Sequence, residues 1–542
     1  MRIFLRFLTL AGLLSLAAPA LTAAPPIDPR VVHAVNRLSF GPRPGDLDRV
    51  QAMGVERYIQ EQLSPETIPE AETVTTRLAA LSTLNMGPGD IFRAFGPDRS
   101  APIARRLPEP QVRADRNESP LQANDLQRQR LAAGLRRARA VVQDATVARL
   151  VRAVESPRQL DELMVDFWFN HFNVFSGKGL TRLWVGAYEQ QAIRPHTLGR
   201  FRDLVLATAR HPAMLFYLDN WQNTGPGTPG ARGRFKGLNE NYARELMELH
   251  TLGVDGGYSQ KDVTELARIF TGWGLCPGRR GGGDGSGFCF DRRRHDRGDK
   301  VLLGQAIRGG GEEEGLRAID LLVRHPATAR HISYQLAQYF VADAPPAALV
   351  ERLAKRFQQT DGDIRAVLST LFQSPEFWDS AHYGAKFRTP LQYVVAALRA
   401  ADTPLPEPRA VALTLQQLGQ PLYGCQTPDG YKNTREAWLS PEGMTARLNF
   451  ATALAEGKVP GIHTRTLARL GDQEIPDDGV ILPPEPDEAP ARPVRTAGPL
   501  DAETLQHTLG NRFSTKTAEA LRRADPALRA ALILGSPELM FR

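Results

Sequence analysis

Apolar residues along this chain recur at intervals of three and four. Leu160, Leu163, Met164, Phe167 and Trp168 form one such run, and Val263, Leu266, Ala267 and Phe270 another. That spacing lines one face of a helix, while the alternation expected of strands is scarce. The pattern predicts a mainly α protein: a large multi-helix globular domain, with room for two lobes, long loops and little sheet. Start signals fall where helices need them. Ser259 and Asp262 have the spacing of a capping box, and Ser156-Pro157 and Thr389-Pro390 put proline at a first helical position. The stretch from Leu121 to Ser156 is long enough for one extended helix or a hairpin.

The two ends and several insertions break this period. Arg2 and Arg6 precede an uncharged apolar run, residues 7–18, which closes in small residues around Ala20 and Ala24. This is the order of a secretory signal, and the run is shorter than the roughly 20 apolar residues of a membrane span. The expectation is a signal peptide over 1–24, removed on export to the periplasm or medium, with no transmembrane anchor afterwards. A main helical domain then spans 25–475, interrupted by an insertion-like loop rich in Pro, Arg and Asp at 98–120 and a glycine-rich loop at 277–287. An acidic proline-rich linker, 476–499, leads to a C-terminal helical tail, 500–542, that packs on the main domain. The stretches 364–378 and 528–541 echo each other, each a helical run followed by Ser-Pro-Glu, which reads as a shared way to end one helix and start the next.

Composition adds limits. Hydrophobic residues at 42% and charged residues at 23% are ordinary for a globular protein. The formal charge of +7 falls to +5 without Arg2 and Arg6. That is mild for this length, so it argues for weak attraction to an anionic envelope component and against nucleic acid. An exported protein can form disulfides. Cys276 and Cys289 flank the glycine-rich loop and would close it; pairing of either with Cys425 is the alternative.

Polar chemistry is most concentrated in residues 239–253, where Asn241, Glu245 and Glu248 share one stripe of a regular helix and His250 falls off it. The aromatic block 167–172, with Asn170 and His171, would supply a facing helix. A histidine and two carboxylates on facing helices suit a divalent metal or acid/base work. The plainer reading has Arg244 pairing with Glu240 and Glu248, each pair worth about 0.2–0.5 kcal/mol, Asn239 in the same polar network, and His171 as a core histidine. A second cluster, His295, Asp296 and Lys300, follows the glycine-rich loop and reads either as a charged turn or, with Arg292–Arg294, as an anion contact. Zinc-protease, nucleophile-elbow, Walker and Cys-x-x-Cys motifs are all missing from the sequence.

Together, Asn239-x-Asn241-x-x-Arg244-Glu245-x-x-Glu248-x-His250-x-x-Gly253, the Phe-Trp-x-Asn-His-Phe block around His171, and Phe270-Thr-Gly-Trp273 resemble the bacterial exported family catalogued as domain of unknown function 1800. Further matches are Arg37 to Pro42, His211 to Met214, His295 to Gly304, His325 to Arg330, Lys386 to Pro390, Gly419 to Pro421 with Pro428 and Gly430, and Ser536 to Glu538. The resemblance implies an exported helical protein and a sulfatase-like exported partner, but assigns no reaction. The leading expectation is a metal-assisted hydrolase acting on a polymeric or anionic envelope substrate, with Glu245, Glu248 and His250 as catalytic candidates and His171, Glu245 and Glu248 as candidate metal ligands. The competing one is a non-catalytic scaffold or accessory protein. An enzyme needs its polar groups in a concave pocket, whereas a scaffold needs them closed and mutually satisfied.

Overall fold

The structure, a computed structural model, describes residues 26–96, 120–231, 235, 237–276, 285–403, 405, 407–459 and 500–542, with side chains in the helix opening at Pro120 described from residue 137. The expected leader, the loop up to residue 119, residues 277–284 and the linker 476–499 lie outside the described residues.

The protein is mainly α, with only two short antiparallel strand pairs among the described residues. Trp273–Leu275 pairs with Phe288–Phe290, bringing Gly274 opposite Cys289, and a disulfide joins Cys276 to Cys289 just beyond. Lys300–Leu302 pairs with Gln305–Ile307 across Leu303 and Gly304, both at positive φ as a two-residue hairpin of this hand requires. One contiguous buried cluster runs from Val31 to Met540. The C-terminal segment belongs to it: Pro526–Leu534 packs on Pro441–Ala455, and Arg388 N–H donates to the Met540 carbonyl at 2.9 Å.

Of the three helix starts marked in the sequence, two form where expected. Ser259 and Asp262 form the reciprocal capping box of Gln260–Ile269, and Thr389 with Gln392 does the same for Pro390–Ala400. The helix after Ser156-Pro157 opens later, at Gln159, because the Ser156 hydroxyl takes the Arg158 N–H at 3.1 Å and Gln62, from another helix, takes the Leu160 N–H at 3.1 Å. Pro120–Glu155 is one continuous helix. Its buried face, including Val141, Ala145 and Val151, packs on Thr181–Tyr188. There Gly186 lies so close that a Cβ on it would stand 3.0 Å from the Ala145 Cβ, so any larger residue would push the two helices apart by a few tenths of an ångström.

That contact brings charges together where water does not reach. Glu189, fully buried at the start of the π turn Glu189–Ile193, meets Arg149 at 3.2 Å, Arg194 at 2.9 Å and the Tyr423 hydroxyl at 2.8 Å. Arg149 also binds Asp166 at 2.6 Å, and Arg194 grips Glu162 with two hydrogen bonds of 2.8 and 2.9 Å. Burial opposes the Glu189 charge, but Arg194 and Arg149 outweigh it and hold the carboxyl below its usual range. Replacing Glu189 with Gln removes the carboxylate shared by two buried guanidinium groups and leaves Arg149 with Asp166 alone and Arg194 with Glu162 alone. The expected cost is about 3–5 kcal/mol, read as a lower urea midpoint; a variant as stable as the parent would show that the network contributes little.

Candidate functional site

The helix Asn241–Glu245 does not continue in α geometry. From Leu246 to His250 it widens into a π turn, which rotates the following side chains away from the regular stripe. Asn241 is exposed, and its amide reaches back to the Leu218 carbonyl at 3.2 Å. Asn239, ahead of the N-cap Glu240, accepts the Asn241 N–H at 3.1 Å, while its own N–H donates to Asn223 at 3.0 Å. Arg244 pairs with Glu240 at 3.3 Å and with Gln260, and no Arg244–Glu248 pair forms. These residues fasten the helix.

The end of the π turn presents two carbonyls in succession. The His250 carbonyl lies 3.1 Å from His171 Nε2, and the Leu249 carbonyl 3.1 Å from His331 Nε2. A carbonyl only accepts, so each Nε2 carries the proton, the Gln335 amide 3.1 Å from His331 Nε2 turning its oxygen toward it, and each Nδ1 keeps a lone pair. Gly253, at φ +84°, permits the approach, because a Cβ there would stand 2.9 Å from His331 Nδ1. Burial, then the neighbouring His331, lowers the His171 pKa to about 3; burial likewise lowers that of His331. Both rings are therefore neutral bases at ordinary pH. His250 turns into the core against Phe172, its ring centroid 6.0 Å from that of His171, and its Nε2 has no partner.

His171, His331, Gln335 and Glu248 line one side of a pocket of about 300 Å³, with Asp429 and Tyr431 also in its lining. The loop carrying Asp429 and Tyr431 is held by two asparagines, one in the aromatic block and one directly after it. Asn170 donates to the Tyr431 carbonyl at 2.9 Å and accepts the Tyr431 N–H at 2.7 Å, replacing a strand neighbour with one side-chain amide. Asn173 donates to the Cys425 and Thr427 carbonyls at 3.0 and 2.8 Å. Gly430 passes so near that a Cβ would lie 2.3 Å from the Asn170 carbonyl. Burial opposes the charge on Asp429, but hydrogen bonds from Lys432, 2.6 Å away, and Thr427 keep its carboxyl below the usual range. Glu245 sits outside the lining, and burial together with the charge of Glu248 pushes its carboxyl up. The lining holds Asp166, Glu248 and Asp429 against Arg149 and Lys432, an excess of one negative charge.

Glu245, Glu248 and His171 do not converge: among the described residues no three His, Cys, Asp or Glu side chains lie together as a metal would require. One ring nitrogen of His171 is spent on the His250 carbonyl, and Glu245 lies outside the pocket. The second cluster is closed. His295 and Lys300 meet the fully buried Glu314 at 2.9 and 2.6 Å, and the Gly310 and Gly311 N–H groups fill the rest of that carboxylate. Burial resists this charge, yet the hydrogen bonds from His295 and Lys300 win and hold Glu314 down at about 2. Asp296 binds Arg268 at 2.8 Å. Sequence reasoning missed His331 and Gln335, an i, i+4 pair whose spacing is a usable signal, and Asp429 and Glu314, whose partners are distant in sequence.

The family model described as "Protein of unknown function (DUF1800)" matches residues 33–541. No curated protein and no solved structure matches.

Two outcomes follow from this geometry. His33, His171 and His211 are each held at about 3, burial being the first cause, whereas an unfolded chain protonates them near 6.5. Their contribution is complete above pH 6.5 and is lost as pH falls toward 3, at up to about 1.4 kcal/mol per unit for each residue. Unfolding free energies at pH 7, 6 and 5 should decline, with a shallower slope in His171→Gln; equal slopes would contradict it. Asn170→Ala leaves both Tyr431 backbone groups without their partner, so amide exchange across 421–433 should accelerate while the core helices keep their protection, at a cost of about 1–3 kcal/mol.

Proposed function

We propose that this chain, which belongs to the DUF1800 family of proteins of unknown function, is an exported hydrolase that acts by acid/base chemistry on a polymeric envelope substrate, neutral or cationic where it enters the pocket. The observation that carries the reading is the meeting of Glu248 and Asp429 with two neutral histidines, His171 and His331, around one open cavity of about 300 Å³. Such a volume admits one unit or side group of a polymer. The negative excess of the lining disfavours an anionic group there and favours an uncharged or amino-bearing one. Glu248 is the candidate base and, once protonated, the donor to the leaving group, with the Tyr258 hydroxyl 3.4 Å from its carboxylate. His331 and His171 would orient the substrate through their Nδ1 lone pairs, their tautomer set by the π-turn carbonyls. Export is supported by the basic, apolar and small-residue order of residues 1–24 and by the Cys276–Cys289 bridge, which persists in oxidising compartments.

The scaffold reading draws on the saturated Glu314 cluster and the amides committed to the 421–433 loop. It leaves the pocket without a purpose.

The test is turnover of insoluble envelope polymers, amino-sugar polymers first, by the purified protein beside Glu248→Gln and Asp429→Asn. General acid/base groups contribute roughly 10²–10⁴-fold, so loss of that size in a variant with unchanged melting supports the proposal. Unchanged turnover in both variants, or turnover that needs an added metal ion, would sink the acid/base assignment.

A further inference from the structure

One carboxylate of the pocket is used neither by the proposed chemistry nor fully by the ion network. Asp166 stands in the middle of the helix Gln159–His171, where every other residue from Leu163 to Phe169 is apolar and buried. A charge in such a setting persists only with partners.

The protein supplies partners for half of it. Oδ1 accepts from Arg149 Nη2 at 2.6 Å, whereas Oδ2 has no partner among the described residues and is not sealed off: the side chain keeps 14% of its surface open and lines the cavity. A carboxylate that served only to neutralise an arginine would take both arms of the fork, as Glu162 does with Arg194 in the same network. Arg149 instead divides itself between Asp166 and the fully buried Glu189. Lys432, the other cation of the lining, is engaged by Asp429. Positive charge is therefore short at Asp166. Burial pushes this carboxyl up, and Arg149 offsets only part of that.

The surroundings select the ligand. An inorganic cation needs several oxygens around it, and no metal-holding group of side chains gathers among the described residues. Next to Asp166 on the helix, the Phe167 ring, with Tyr339 packed on it at 5.3 Å, lines the same cavity and suits an organic ammonium. Elsewhere in the lining, Gln420 gives its oxygen to the Leu391 N–H at 2.8 Å, and Gln338 gives its nitrogen to the Asp343 carbonyl at 3.0 Å. One amide N–H₂ and one amide oxygen thus remain for groups that both donate and accept, as hydroxyls do.

We infer that Asp166 Oδ2 receives the ammonium group of an amino-sugar unit whose nitrogen is unacetylated, the sugar hydroxyls meeting Gln338 and Gln420. This rests on the reading of the cavity as a substrate pocket and narrows it: the substrate is a polysaccharide with free amino groups. Asp166 sets that preference, separately from Glu248.

The test is binding, measured by calorimetry with a glucosamine tetrasaccharide and its fully N-acetylated counterpart. The free amine should bind roughly tenfold or more tightly, as a charge-assisted hydrogen bond implies. Asp166→Asn should bring the two affinities together, and a ratio between two ligands is insensitive to how much of the variant is folded. Glu248→Gln should preserve the ratio whether or not it lowers turnover, so this subsite and the acid/base assignment stand or fall separately. Equal affinities in the unaltered protein, binding of neither sugar, a preference that outlasts Asp166→Asn, or tighter binding of trilysine than of the free-amine sugar would each overturn the inference.

Discussion

Glu189 carries a full negative charge into a place without solvent, and for as long as it does so Arg149, Arg194 and Tyr423 have to remain beside it. These partners come from a long helix, the segment after a π turn, and the loop before Asp429. Desolvating the charges costs several kcal/mol per ion and is offset only in good geometry, so three distant parts of the chain share one arrangement. Arg149, Asp166 and Tyr423 also line the pocket. Core and candidate site are therefore built on the same ion network, and a rigid floor is what a small polar cavity needs if its groups are to keep their places.

Both π turns of the described residues sit at such points. Glu189–Ile193 starts on the buried carboxylate, and Leu246–His250 ends on the carbonyls that fix His171 and His331. A π turn shifts the hydrogen-bond partner by one residue, which disturbs the regular ladder and offers its carbonyls to side chains. Two histidines held in one tautomer by consecutive carbonyls are the direct product of that irregularity.

The two polar clusters differ in how completely they are satisfied. Around Glu314 each carboxylate oxygen has partners and no exposure remains, so the cluster holds a hairpin and a loop against a helix start. Around Glu248 the same residue types stay partly exposed and border an open space. Identical chemistry becomes structural in one place and available in the other because only one site excludes water from both sides.

What the sequence determined by itself was whatever depends on near neighbours. Helical class follows from three- and four-residue periodicity; the Ser259 and Thr389 caps follow from side chains three residues from their targets. The motif blocks that marked the family, including Asn170, His171, Glu248 and His250, were legible in the same way. The regular-helix stripe of Asn241, Glu245 and Glu248 was not realised, because a π turn after Glu245 is favoured by what the widened backbone binds and not by the residues in it. Tertiary structure alone decided that His171 would meet His331, that Asn170 would hold Tyr431, and that Arg388 would bind Asn36. Those pairs are separated by 160, 261 and 352 positions, and contacts over such distances are set by how helices pack, which no local pattern encodes.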